Sequence, residues 1–171
     1  MEKRTGVITF VGNPMTLVGK EVKVGDKAPD FTLLDNGLAV KTLKDYEGKV
    51  KIFSVVPSLD TGVCDAQTRW FNQNVTALSD DVVVLTVSMD LPFAQKRWCG
   101  AAGVENVVTL SDHKDASFGT NYGFLIEELR LLTRGIVVVD KNDKVTYVEY
   151  VPEVTNAVNF DAAVEAAKAA L

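Results

Sequence analysis

The alternation of apolar and polar positions changes its period several times along this chain. Residues 7–10 and 15–18 flank Gly12-Asn13-Pro14, which predicts a hairpin within an N-terminal extension over 1–20. Residues 31–34 and 39–43 flank Asp35-Asn36-Gly37 and predict a second hairpin-like excursion. From 50 to 56 the chain is mostly apolar until Pro57 stops it, the pattern of a strand buried on both faces. Beyond Cys64 the period becomes helical. Ala66, Trp70, Phe71, Val75 and Leu78 share one face, and Gln67, Arg69 and Asn72 the other.

The second half repeats this grammar. Residues 82–87 read as a strand, and Asp90 is placed to cap a helix with Pro92 near its first position, running to about Trp98. A short strand over 107–110 precedes a polar stretch over 111–115 and a short helical segment over 118–122. Residues 136–139 and 144–151 flank Asp140-Lys141-Asn142-Asp143, a hairpin signal. Phe160, Ala163, Val164, Ala167 and Leu171 predict a terminal amphipathic helix. Strands alternating with helices, then a late hairpin, imply a mixed central sheet covered on both faces. The fold class is α/β, in one domain over 1–171.

Composition agrees with a folded domain. With 171 residues, 47% hydrophobic and 24% charged, the chain has an ordinary globular balance. Size scaling expects roughly 8,200 Å² of folded surface, so a substantial core forms without staples. Eighteen basic against 23 acidic residues give a net charge of −5, and no basic cluster exceeds that of Glu2-Lys3-Arg4. Nucleic acid is therefore not expected as a partner. No apolar run approaches the roughly 18 residues of a membrane span, and the first ten residues lack the apolar stretch of a secretory signal. A cytoplasmic protein with no membrane partner is expected.

The chemistry concentrates on cysteine. Cys64 and Cys99 do not form a Cys-x-x-Cys pair, and His113 is the single histidine, so a metal site of the usual Cys and His type lacks ligands. Two cysteines can also serve simply as small buried hydrophobes. The surroundings of Cys64 argue for more. Pro57-Ser58-Leu59-Asp60-Thr61-Gly62-Val63-Cys64 lies where a buried strand ends and a helix begins. A thiol in the first turn of a helix faces unpaired backbone N–H groups and the positive end of the macrodipole, which favour the nucleophilic thiolate. Thr61 sits three residues earlier, where its hydroxyl can point at the sulfur or a substrate oxygen, or can merely start the helix. His113, between Asp112 and Lys114, is expected on an exposed loop without a role, and Trp70 and Phe71 in the core.

Pro57-x-x-x-Thr61-x-x-Cys64 resembles the active-site motif of the peroxiredoxins. The wider string, with Pro92-Phe93-Ala94-Gln95 and Trp98-Cys99-Gly100, is similar to the thiol peroxidase subfamily. So are Gly12-Asn13-Pro14, Arg134 followed by Val137-Val138-Val139-Asp140, and Tyr150-Val151-Pro152-Glu153-Val154-Thr155. Thr133 departs from the pattern, where alanine is expected before Arg134. The resemblance implies a thioredoxin-like fold and reduction of hydroperoxides without metal or organic cofactor. It puts Cys64 on the peroxidatic cysteine, Thr61 on its hydroxyl partner and Pro57 on the residue shielding the pocket. It puts Arg134 on the active-site arginine and Cys99 on the resolving cysteine of the same chain. It also implies a homodimer reduced by thioredoxin. Two other classes compete. A cysteine hydrolase would pair its thiol with a histidine base, for which only His113 is available. A redox sensor would share the first chemical step but react once rather than turn over.

Overall fold

The apolar run that ends at Pro57 lies at the centre of the molecule. A computed structural model describes residues 1–75 and 78–171. Strands β1 (Lys3–Phe10) and β2 (Asn13–Val18) form the antiparallel N-terminal hairpin. Strands β3 (Leu33–Leu34) and β4 (Val40–Lys41) form the second, followed by a 3-10 turn at Leu43–Tyr46. Then come β5 (Val50–Val55), α1 (Gly62–Asn74), β6 (Val82–Ser88), α2 (Pro92–Ala102), β7 (Val108–Ser111) and α3 (Ser117–Asn121). The chain continues through β8 (Leu125–Ile126), β9 (Leu131–Leu132), β10 (Gly135–Val139), β11 (Val145–Tyr150) and α4 (Phe160–Ala169).

Seven strands make one mixed sheet in the order β11-β10-β5-β6-β7-β3-β4, with β5, β6 and β7 parallel and β10 antiparallel to β5. The hairpin β1-β2 joins β8 and β9 in a second, four-stranded sheet. Alternation along the central strands sends side chains to both faces. Phe53, Val55, Leu85 and Val87 pack with Phe31, Phe118, Tyr122 and Phe124 on one side. Val50, Ile52 and Val84 pack with Phe71, Val75, Ala163 and Ala167 of the helical layer on the other. The exposed surface is 7859 Å², close to the size expectation.

Several expectations need correction. The buried face of α1 runs through Cys64, Gln67, Thr68 and Phe71, so Gln67 is inside and Ala66 is exposed. A polar amide can turn inward here because both its ends find partners, described below. Of the helical pattern expected to reach Leu78, residues 76 and 77 lie outside the described residues. Asp90 does not cap α2: Leu91 is the N-cap residue and makes no side-chain cap bond. α2 also runs past Trp98 and Gly100, because the left-handed residue that ends it is Gly103, at φ 67°. Short strands β8 and β9, each two residues long, were too brief to leave a period in the sequence.

The polar stretch over 111–115 is not wholly exposed either. Ser111 and Asp112 are buried and His113 is half-buried. Asp112 accepts hydrogen bonds from the backbone N–H groups of Phe118 and Gly119, holding the first turn of α3. Burial pushes its carboxyl up to about 6, against the opposing pull of those two N–H groups. An acid with a raised native value adds stability below its unfolded value and loses it as pH rises through the native one. Asp112 should therefore cost the fold up to about 3 kcal/mol between about pH 4 and pH 7. Urea unfolding across that range should show a smaller decline in stability for Asp112→Asn than for the unsubstituted chain. Identical slopes would contradict the assignment.

Candidate active site

Strand β5 delivers the chain to the site. Val56 and Pro57 remain buried beyond its end, and Pro57 has no N–H with which to extend the ladder. The next residues are held from the side by Asp90, whose carboxylate accepts from Ser58 Oγ at 2.7 Å, Leu59 N at 2.8 Å and Ser88 Oγ at 2.7 Å. The acid expected to cap a helix instead ties down the loop that leads to Cys64. Asp90→Ala leaves three donors without this acceptor and should cost about 2 kcal/mol. Hydrogen exchange over 58–61 should quicken; unchanged protection there would argue against the tether.

Thr61 is the N-cap residue of α1, extended at φ −100° and ψ 148°. Its hydroxyl donates to Ser58 O at 3.0 Å rather than capping the helix, and no bond to Cys64 Sγ is formed. Cys64 is the third residue of α1, in the turn whose N–H groups helix geometry leaves unpaired. It is 0% exposed and packs with Val56, Leu59 and the ring of Trp98.

Arg134 reaches the same point from the neighbouring strand, just before β10. Its Nη2 donates to Cys64 Sγ at 3.1 Å, Nη1 to Gln67 Oε1 at 3.0 Å and Nε to Val154 O at 2.7 Å. Gln67 Nε2 in turn donates to Ser54 Oγ at 2.8 Å, so the buried amide bridges guanidinium and sheet. Arg134 is 2% exposed, and among the described residues no carboxylate pairs with it. The guanidinium is held by neutral oxygen acceptors and presents a further N–H donor to the sulfur. Gly135, the next residue, cannot carry a side chain: a Cβ would collide with the Glu149 carbonyl of β11.

The carbonyl of Val154 that aims Arg134 is itself fixed by the N-terminal hairpin. Thr9 N donates to Pro152 O and Val154 N to Thr9 O. Glu153 accepts from Thr9 Oγ1, from the Val11 and Gly12 N–H groups, and from Thr155. The N–H groups of Thr155 and then Gly12 draw the Glu153 carboxyl down to about 2. These links form above the ordinary carboxylate range and fail only as pH falls through about 2. The hairpin is thus part of the scaffold behind the arginine.

Cys99 lies apart from this group. It is half-buried in the C-terminal part of α2, with Sγ 3.6 Å from Thr109 Oγ1 of β7, and both cysteines are free thiols. Ser54, Thr86 and Thr109 pair side by side across β5, β6 and β7, so a row of buried hydroxyls runs under the helices from the Gln67 bridge to Cys99. The structure therefore brings Cys64 and Arg134 together, sets Pro57 and Thr61 on the loop beside them, and leaves Cys99 at a separate station. The sequence reading missed Gln67 and gave Asp90 a different role. Gln67 stands three residues after Cys64 on the same helical face, which was the available signal.

The redoxin family model matches residues 23–168. The chain belongs to the redoxin family. Within it the chain falls among the peroxiredoxins, in the thiol peroxidase subfamily. It is 66% identical over 164 residues to a thiol peroxidase of Halalkalibacterium halodurans, covering 96% of this chain and 98% of that one. It is 62% identical over 162 residues to a thiol peroxidase of Bacillus subtilis, covering 95% and 96%. A crystal structure of a peroxiredoxin-like protein from Aquifex aeolicus superposes with a TM-score of 0.90 at 39% identity, over 98% of this chain and 99% of that one. The thioredoxin-like peroxiredoxin fold with its N-terminal hairpin follows from the same comparisons.

Proposed function

We propose that this peroxiredoxin reduces hydrogen peroxide and alkyl or lipid hydroperoxides with Cys64 as the attacking group. The observation that carries the reading is the buried, carboxylate-free guanidinium of Arg134 at 3.1 Å from Cys64 Sγ, beside the open first turn of α1. The Cys64 thiolate attacks the distal peroxide oxygen, the O–O bond breaks, and the departing oxygen takes a proton as water or alcohol. Charge moving onto that oxygen meets donors already in place: the first-turn N–H groups, Arg134 and, after rotation, the Thr61 hydroxyl. Pro57 backs the loop and helps keep bulk water from the sulfur.

The product is a Cys64 sulfenic acid, which condenses with a thiol to a disulfide. In this reading the thiol is Cys99 of the same chain, and thioredoxin restores both cysteines. The bridge needs Cα atoms within about 7 Å, whereas the two sulfurs are held by groups just before β10 and on β7, strands separated in the sheet by β5 and β6. Local unwinding of both helix ends is therefore part of the cycle, helped by the backbone freedom of Gly100. The chain works as a homodimer on this account.

The test is a coupled assay with thioredoxin, its reductase and NADPH, comparing hydrogen peroxide with a bulky alkyl hydroperoxide. Many turnovers per chain are expected. A single turnover in excess reductant would favour a sensor and contradict the enzyme reading.

A further inference from the structure

The residues that follow Cys64 and precede Cys99 hold on to each other. Asp65 Oδ1 accepts from Trp98 Nε1 at 2.9 Å, and Asp65 Oδ2 accepts from Arg69 Nε at 2.9 Å. The Arg69 guanidinium lies 5.7 Å from the Trp98 ring centre, and its Nη1 donates to Ala102 O at 3.4 Å. Trp98 also packs on Leu59 and Cys64. These contacts join the first turns of α1 to the last turns of α2. They are the two segments that must loosen before the cysteines can meet.

We propose that Asp65, Arg69 and Trp98 act as a latch that sets how the Cys64 sulfenic acid is divided between two fates. The proposal rests on the Cys64–Cys99 reading given above. In one fate Cys99 sulfur attacks the sulfenic sulfur, an S–S bond forms, the S–O bond breaks, and the hydroxyl leaves with the Cys99 proton as water. In the other the sulfenic sulfur attacks a second hydroperoxide, whose O–O bond breaks. One oxygen passes to sulfur, giving the sulfinic acid, and the alcohol or water leaves. The first fate needs the helix ends open and the second needs them closed around Arg134. A closed latch therefore slows condensation and gives the second peroxide time to arrive.

Asp65 is the positioning residue at the centre, because its two oxygens hold one partner from its own helix and one from α2. Trp98 bears the cation face and the hydrogen bond on the other side. A hydrogen bond to a charged acceptor is strong enough to matter here even when partly solvated. Its loss should shift the open fraction by about tenfold.

The experiment uses the full chain with Trp98→Phe, which keeps a ring over Leu59 and removes the N–H donor, and Arg69→Met, which keeps the stem and removes the clamp. Two measurements are made. Hydrogen exchange on the reduced protein follows segments 62–66 and 98–103, and rapid quench with mass spectrometry follows the disulfide and the sulfinic acid after peroxide. Both segments should exchange about tenfold faster together in Trp98→Phe, with a smaller change in Arg69→Met. Disulfide formation should quicken in the same order, and the sulfinic fraction at high peroxide should fall. Faster exchange at α2 alone, or unchanged disulfide rates and sulfinic fractions in both variants, would overturn the latch while leaving the wild-type disulfide standing. An unsubstituted chain that forms no Cys64–Cys99 disulfide would overturn the underlying mechanism and the division of fates together.

Discussion

Cys64→Ser is expected to lose peroxide reduction by a factor on the order of 10⁴ or more while keeping its fold. The substituted oxygen is smaller than sulfur and still finds the Arg134 Nη2 donor that the thiol meets at 3.1 Å. A serine hydroxyl in that position is a poor nucleophile toward an O–O bond, because among the described residues no base is bonded to it. Among the described residues the side chains bonded to this group are Arg134, Gln67 and Ser54, none of which is a base at neutral pH. Thermal unfolding should change little, since the hydrogen bond and most of the packing volume survive. Appreciable turnover by a folded Cys64→Ser would remove the sulfur from the mechanism.

Arg134→Met is expected to slow the first oxidation by about 10²–10³-fold, the range for removing one preorganised donor from developing charge. The substitution keeps the length of the stem but leaves Gln67 Oε1 and Val154 O without their donors. It also removes a buried positive charge that has no carboxylate partner among the described residues. These two effects on stability oppose each other, so the net change should stay near about 1–2 kcal/mol. The kinetic loss should exceed the stability loss by a wide margin. Single-turnover oxidation followed by stopped flow, with urea unfolding of the same variant, separates the two. Unchanged oxidation rates would take Arg134 out of the reaction.

Much of this architecture is legible in the chain. The apolar run before Pro57, the helical period after Cys64 and the hairpin signals at Gly12-Asn13-Pro14 and Asp140-Lys141-Asn142-Asp143 each correspond to an observed element. Periodicity was weakest where polarity and burial part company. Gln67 reads as a surface residue by type, yet Ser54 and Arg134 satisfy its amide and it sits inside. Asp112 reads as part of a polar loop, yet its carboxylate serves two N–H groups of α3. Asp90 matched a helix-cap pattern in sequence, but the loop over 58–59 competes for the same oxygens and wins. The partners of Gln67 and the loop partners of Asp90 lie 13 to 67 residues away, beyond the reach of local pattern, whereas those of Asp112 are six and seven residues on, across a turn that periodicity does not describe. The adjoining of Cys64 and Arg134, 70 residues apart, is long-range like the bonds of Gln67 and those of Asp90 to the loop. It entered the sequence reading through resemblance alone.

The most direct measurement treats reduced Cys99→Ser with one equivalent of hydroperoxide and maps the product by peptide mass spectrometry. The account predicts that the peptide containing Cys64 becomes one oxygen heavier, reacts with a sulfenic-acid trap, and does so at the rate at which peroxide disappears. A Cys64 that remains a free thiol while peroxide is consumed would contradict it.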